Sequence, residues 1–205
     1  MQLSIVGHEQ IIAQFHQAIR SDRIGGSYLF SGPSQIGKGT VARFFAKIVC
    51  CPEPDEEPCE NCVSCHKVDT DNHPDVLIVR PLGTWIKIDQ IREFQKRIIY
   101  RPVESSRKIV IVQEAERMNL EAANCLLKTL EEPPSQSVLI LLTANRDVLL
   151  PTITSRCQIV QFHPLPVHEL SRYLSERHSL DKSQADSMAL MAGGAVGKAL
   201  NLLEL

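Results

Sequence analysis

Five cysteines fall within residues 50–65, and four of them, Cys50, Cys59, Cys62 and Cys65, are spaced C-x8-C-x2-C-x2-C. Two C-x2-C steps let neighbouring thiolates grip one ion, and the eight-residue excursion returns a fourth sulfur, so the set can close a tetrahedral shell around zinc. Four thiolates leave no open position, so the expected site is structural. Cys51 competes with Cys50 for the first place, and His66, which adjoins Cys65, is an awkward substitute. Acidic neighbours do not help hold thiolates, so the metal itself must stabilise them. Cys125 and Cys157, outside the cluster, read as buried apolar fillers.

Directly before the cysteines, Gly32, Gly37 and Lys38 match G-x4-G-K, the pattern of a loop whose backbone N–H groups and lysine cradle phosphates. The next position should carry a hydroxyl that ligates Mg2+, but it is Gly39. Thr40 lies one residue further, about 100° around a helix, and is not equivalent. In residues 109–116 an apolar run ends at Gln113, where a cation-organising Asp is expected; a neutral amide is a poor ligand for a hard cation. Glu114 remains at the place of a water-activating carboxylate. With both metal-organising oxygens lost, hydrolysis should be slow or absent. The favoured reading of Gly32, Gly37, Lys38, Gly39 and Thr40 is a vestigial loop that shapes the core; binding of ATP and Mg2+ is the competing one. Arg156, alone on a loop, is by itself an ordinary solvated charge.

These residues need a scaffold, and the apolar pattern describes one. Helical spacing covers residues 10–19, 40–50, 90–98 (with Asp89 as cap) and 120–130, the last stopped by Pro133 and Pro134. Short apolar runs at 28–30 and 76–79 and a last segment at 158–162 read as strands, and the continuous apolar runs at 108–112 and 138–143 read as strands buried on both faces, hence a parallel sheet. The phosphate loop falls between a strand and a helix start, which is where a cradle must be. After Pro164 the strands give way to helical patterns at 167–176, 182–191 and 196–203. The expected fold is α/β, with a domain at 1–163 that carries the cysteine module at about 50–66, and a three-helix lid at 164–205.

A chain of 205 residues with 43% hydrophobic composition is long enough for such a core. Its net charge of −2 gives no large pull toward nucleic acid, so any DNA contact should be local and shared within an assembly. No leader pattern and no apolar stretch near the roughly 20 residues of a membrane span are present, which places the protein in the cytoplasm and away from membranes. The acidic loop at 52–58 reads as solvated.

Several stretches together carry a family resemblance: Ile5-Val-Gly-His, Tyr28-Leu-Phe-Ser-Gly32, the cysteines, His73-Pro-Asp75, residues 86–92 and 123–134, and Ser155-Arg-Cys157. Over nearly its whole length the chain resembles the bacterial DNA polymerase III clamp-loader subunits of the AAA+ class. The motor branch, gamma/tau, has Ser or Thr after the loop lysine and an Asp-Glu pair at the strand end. Gly39 and Gln113 break both patterns, so the chain is similar to the delta-prime branch. The resemblance implies a zinc-bearing AAA+ domain and a helical lid, with the family's C-terminal collar absent from this chain. It also implies partnership with gamma/tau and delta subunits, and with the sliding clamp and primed DNA through the assembly. It makes Arg156 an arginine finger acting in trans on a neighbour's ATP. Asn145 and Lys198 fall near the family's two phosphate sensors. The competing readings are a gamma/tau-like ATPase motor and a zinc-dependent nucleic-acid-binding module.

Overall fold

The computed structural model describes residues 5–53 and 57–203. The centre of the acidic loop at 52–58 and the outermost ends of both expected domains lie outside the described residues. Strands β1 (Gly26–Ser31), β2 (Val76–Val79), β3 (Lys108–Val112), β4 (Ser137–Thr143) and β5 (Gln158–Gln161) form one sheet in the order β2-β3-β4-β1-β5, and every pairing is parallel. The α/β class expected from the apolar runs is what forms. β3 and β4 are buried at every residue, as strands covered on both faces must be.

Helix α1 (Glu9–Arg20) precedes β1; α2 (Lys38–Cys50), α3 (Val63–Asp69), α4 (Ile88–Ile98), α5 (Leu120–Glu131) and the single turn α6 (Pro151–Thr154) lie between successive strands. Strand side chains alternate between faces, and that alternation sorts the core in two. Phe30, Ile109, Ile111 and Ile140 meet Phe15 of α1 and Phe45 of α2 on one side. Leu29, Val110, Leu139 and Leu141 meet Phe94 of α4 and Leu126 of α5 on the other. Phe30 and Phe45 are almost wholly buried; truncating either to alanine should cost about 3–5 kcal/mol.

Helices α7 (Val167–His178), α8 (Lys182–Ala192) and α9 (Val196–Leu203) enclose a third, separate cluster built on Leu170, Leu174, Ala185, Ala189 and Ala199. Two local differences from the sequence reading are informative. Helix α4 begins at Ile88 rather than Gln90, so Asp89 lies in its first turn instead of capping it. The Gln90 side chain takes the capping role by accepting the Lys87 N–H at 3.1 Å. Helix α3 was not visible in the periodicity, because seven residues span barely two turns.

Candidate functional site

The phosphate loop leaves β1 at Ser31 and closes into α2 at Gly37. Gly32 has φ +154°, and a Cβ there would stand 2.5 Å from the Phe162 carbonyl oxygen, so only glycine fits. Gly37 caps α2 with φ +103° and no side-chain acceptor, which leaves the first N–H groups of a 13-residue helix directed at the loop. Lys38 is only 8% exposed, and its Nζ donates to the Gly32 and Pro33 carbonyls, each at 2.5 Å. Burial lowers its pKa while the charge of Glu116 opposes the shift.

A cleft of about 980 Å3 opens over this loop. Gly39 and Thr40 line it, as do Gln113, Glu114 and Glu116 at the strand ends and Tyr173 from the three-helix unit. The unit docks directly on the loop, because Gly197 of α9 donates its N–H to the Gln35 carbonyl at 2.8 Å. Gln113, where a cation-organising carboxylate would stand, instead accepts a hydrogen bond from Arg80 Nε at 3.2 Å. Arg80 is itself paired with Asp71 at 2.5 Å, and Asp71 with Arg43 at 2.6 Å. Burial works to raise the Asp71 pKa, but the two guanidinium groups outweigh it and hold the carboxyl low. Glu114 sits in a left-handed turn and pairs with Arg117 at 2.8 Å. Glu116 accepts the Ala144 N–H at 3.1 Å through Oε1, and its buried Oε2 has no hydrogen-bond partner. At Gly39 an added Cβ would meet only Leu142 Cδ1, at 3.8 Å, so the missing hydroxyl is not a steric necessity. The cleft thus has a phosphate-loop backbone, with a glycine and a glutamine at the two positions where metal-organising oxygens are expected.

The cysteine cluster forms at the other end of α2, but with a different first member. The sulfurs of Cys51, Cys59, Cys62 and Cys65 all lie within 4.8 Å of one another, with Cys51 to Cys59 at 3.6 Å and Cys51 to Cys62 at 4.0 Å. Four Zn–S bonds of about 2.3 Å in a tetrahedron place sulfurs about 3.8 Å apart, so the donor set could hold one zinc ion. The expectation for Cys50 is therefore corrected to Cys51. Cys50 is the last residue of α2, and its thiol is turned into the core, where burial pushes its pKa up to about 12. Cys51, one step on, has extended backbone that carries its sulfur out to the knuckle.

Within the cluster, N–H groups of Asn61 and Cys62 bring the Cys59 thiol down to about 7, while burial raises Cys51 and Cys65. Cys59 thus ionises most readily, while Cys51 and Cys65 favour the neutral thiol until a cation stands beside them, as metal-ligating thiols do. Cys62 also caps α3, its sulfur accepting the Cys65 N–H at 3.3 Å. Lys47 of α2, fully buried, ties the knuckle and the end of α3 to α2 through Glu60 at 2.6 Å and Asp69 at 2.8 Å. Burial would lower the Lys47 pKa, but the two carboxylates together raise it.

Arg156 follows α6, in the turn that enters the edge strand β5. It does not line the cleft. Its Nε donates to Glu131 Oε1 at 2.7 Å and its Nη1 to the Thr152 carbonyl at 2.9 Å. Asn145 caps a short 3-10 turn by accepting the Asp147 N–H at 3.1 Å, and neither it nor Lys198 lines the cleft. Sequence reasoning missed Lys47, Arg80, Glu116 and Glu131. The signal available for Lys47 was a charge set among buried helix positions, while the partners of the other three lie at least 9 residues away in sequence.

A phosphate loop on a five-stranded parallel sheet, with a helical lid docked over it, defines the class: this is an AAA+-type α/β fold. Its likeness to the RuvB branch-migration motor of Thermotoga maritima, TM-score 0.65 at 16% identity over 97% of this chain and 61% of that one, shows that fold. The family model described as DNA polymerase III, delta subunit, matches residues 7–166, and the chain belongs to that family. It is 38% identical to the DNA polymerase III subunit delta' of Bacillus subtilis over 82% of this chain and 51% of that protein. It is also 31% identical to the tau subunit of the same organism over 98% of this chain and 36% of that one. A gamma subunit-related protein from Thermotoga maritima superposes with TM-score 0.65 at 30% identity, covering 94% of this chain and 61% of that one. The chain spans about half the length of the delta' relative. Among the described residues no helix is long and apolar enough to cross a membrane.

Proposed function

We propose that the chain is a delta-prime-like subunit of the DNA polymerase III clamp loader, largely non-hydrolysing, which supplies Arg156 in trans to the ATP site of a neighbouring gamma/tau-type subunit. In that role it works with delta in the bacterial cytoplasm to help load the sliding clamp onto primed DNA. Residues 1–163 serve as the AAA+ domain and 164–205 as the lid. The observation that carries the reading is a division of parts: the cleft has no metal-organising oxygen at Gly39 or Gln113, while Arg156 stands on the surface outside it. A guanidinium presented there meets the phosphates of another chain, where it stabilises charge developing in the transition state.

Zinc at Cys51, Cys59, Cys62 and Cys65 holds the knuckle and takes no part in chemistry; its contribution is folding energy. The gamma/tau-like reading draws on the intact loop backbone and on the tau match along 98% of the chain. The nucleic-acid module is disfavoured because the knuckle's lysines are already paired, Lys47 with Glu60 and Asp69 and Lys67 with Glu104. The test is ATP turnover by the full-length protein alone in Mg2+. No turnover above that of Lys38→Ala is expected, and turnover abolished by Lys38→Ala makes the chain a motor.

A further inference from the structure

All three guanidinium nitrogens of Arg156 are engaged within the chain. Nε and Nη2 both reach Glu131 Oε1, at 2.7 and 2.5 Å, and Nη1 reaches the Thr152 carbonyl at 2.9 Å. A further contact from Nη1 to Ser155 Oγ, at 3.4 Å, is too long to hold a second proton firmly. Arginine carries five N–H donors, one on Nε and two on each terminal nitrogen. Serving Glu131 and Thr152 therefore leaves one donor on Nη1 and one on Nη2, the pair that can grip two phosphate oxygens at once.

Glu131 is the last residue of α5, and the prolines at 133 and 134 forbid the helix from continuing. A carboxylate at that end opposes the helix dipole. The ion pair is also half in solvent, with side chains 33% and 48% exposed, so it contributes little to folding. What the contact does accomplish is to remove freedom from a long side chain whose task depends on aim.

We propose that Glu131 is a positioning residue for Arg156: it clamps the Nε side of the guanidinium and turns the remaining donors outward, toward the triphosphate bound by a neighbouring subunit. This rests on the reading of Arg156 as a finger. The experiment uses the full-length protein assembled with its motor subunits and measures kcat and KM for ATP. Glu131→Ala lowers kcat by about tenfold and leaves KM within about twofold, since the finger acts in the transition state. Glu131→Gln, which keeps an acceptor oxygen, recovers most of the rate. The thermal midpoint of either variant stays near that of the parent, and Glu131→Ala adds no loss on top of Arg156→Ala. Unchanged or faster turnover in Glu131→Ala overturns the proposal, as does an equal loss when Arg156 is already alanine. Silence of Arg156→Ala itself refutes the finger and Glu131's role with it, whereas a loss in Arg156→Ala without one in Glu131→Ala removes only the role of Glu131.

Discussion

The two ends of α2 carry the two motifs that make the chain recognisable, and they differ in what has been kept. At the C-terminal end the knuckle has a complete donor set: four sulfurs gathered within 4.8 Å and locked to α2 by a buried lysine with two carboxylates. At the N-terminal end the cradle has its backbone and its lysine, but a glycine and a glutamine stand where metal-organising oxygens belong. The comparison separates shape from chemistry. A loop built from backbone N–H groups persists because Gly32 fits nothing larger and α9 packs on Gln35, whatever the side chains do. Metal chemistry resides in individual side chains, and the proposed role has it lost where two of them differ.

The sharpest way to break that contrast lies at the complete end. Cys51→Ser should abolish stoichiometric zinc and unfold the knuckle, because structural zinc supplies on the order of 10 kcal/mol to such a site. Cys50→Ser should leave the zinc content near one per chain. Metal analysis of both variants decides it, and the reverse result would restore Cys50 as the ligand. Next in size, Lys47→Ala leaves Glu60 and Asp69 without their cation and opens a hole in the core, a loss of about 3 kcal/mol read by denaturant unfolding.

The incomplete end can be sharpened by repair. Gly39 has room for a side chain, so Gly39→Thr combined with Gln113→Asp should produce Mg2+-dependent turnover in the full-length protein, about tenfold above the parent's background. The gain stays modest because Arg80 will pair with the new carboxylate. No gain at all would mean that restoring the two oxygens is not enough to drive hydrolysis in this cleft. The smallest effect concerns pH. Burial works to raise the Asp75 pKa, but N–H groups of Glu104, Val103 and Ser105 outweigh it and hold it below the usual carboxylate range. The folded chain therefore binds this proton at lower pH than the unfolded chain. Its contribution is complete above about pH 4 and disappears as pH falls through the folded value. Unfolding curves from pH 6 to 3 should show a shallower acid loss in Asp75→Asn than in the parent.

The sheet was legible because buried parallel strands are continuous apolar runs: residues 76–79 and 108–112 match β2 and β3 residue for residue. Helix α9 was equally plain. The strand order was not, since nothing local in β1 indicates that it lies between β4 and β5. In the site, glycine and cysteine positions announced themselves by spacing. The choice between Cys50 and Cys51 did not, because it depends on where α2 stops and its backbone turns from helical to extended. The clamp of Glu131 on Arg156 was invisible because the fold alone brings together residues 25 apart.

In the proposed role this chain gives a finger and runs no motor of its own. The most direct measurement is steady-state ATP turnover of the reconstituted assembly, built with full-length protein and its motor subunits, with Arg156→Ala and Lys38→Ala compared against the parent. Arg156→Ala should lose about a thousandfold at the site that Arg156 serves, and Lys38→Ala should change nothing. Turnover that survives Arg156→Ala and collapses with Lys38→Ala would contradict that role.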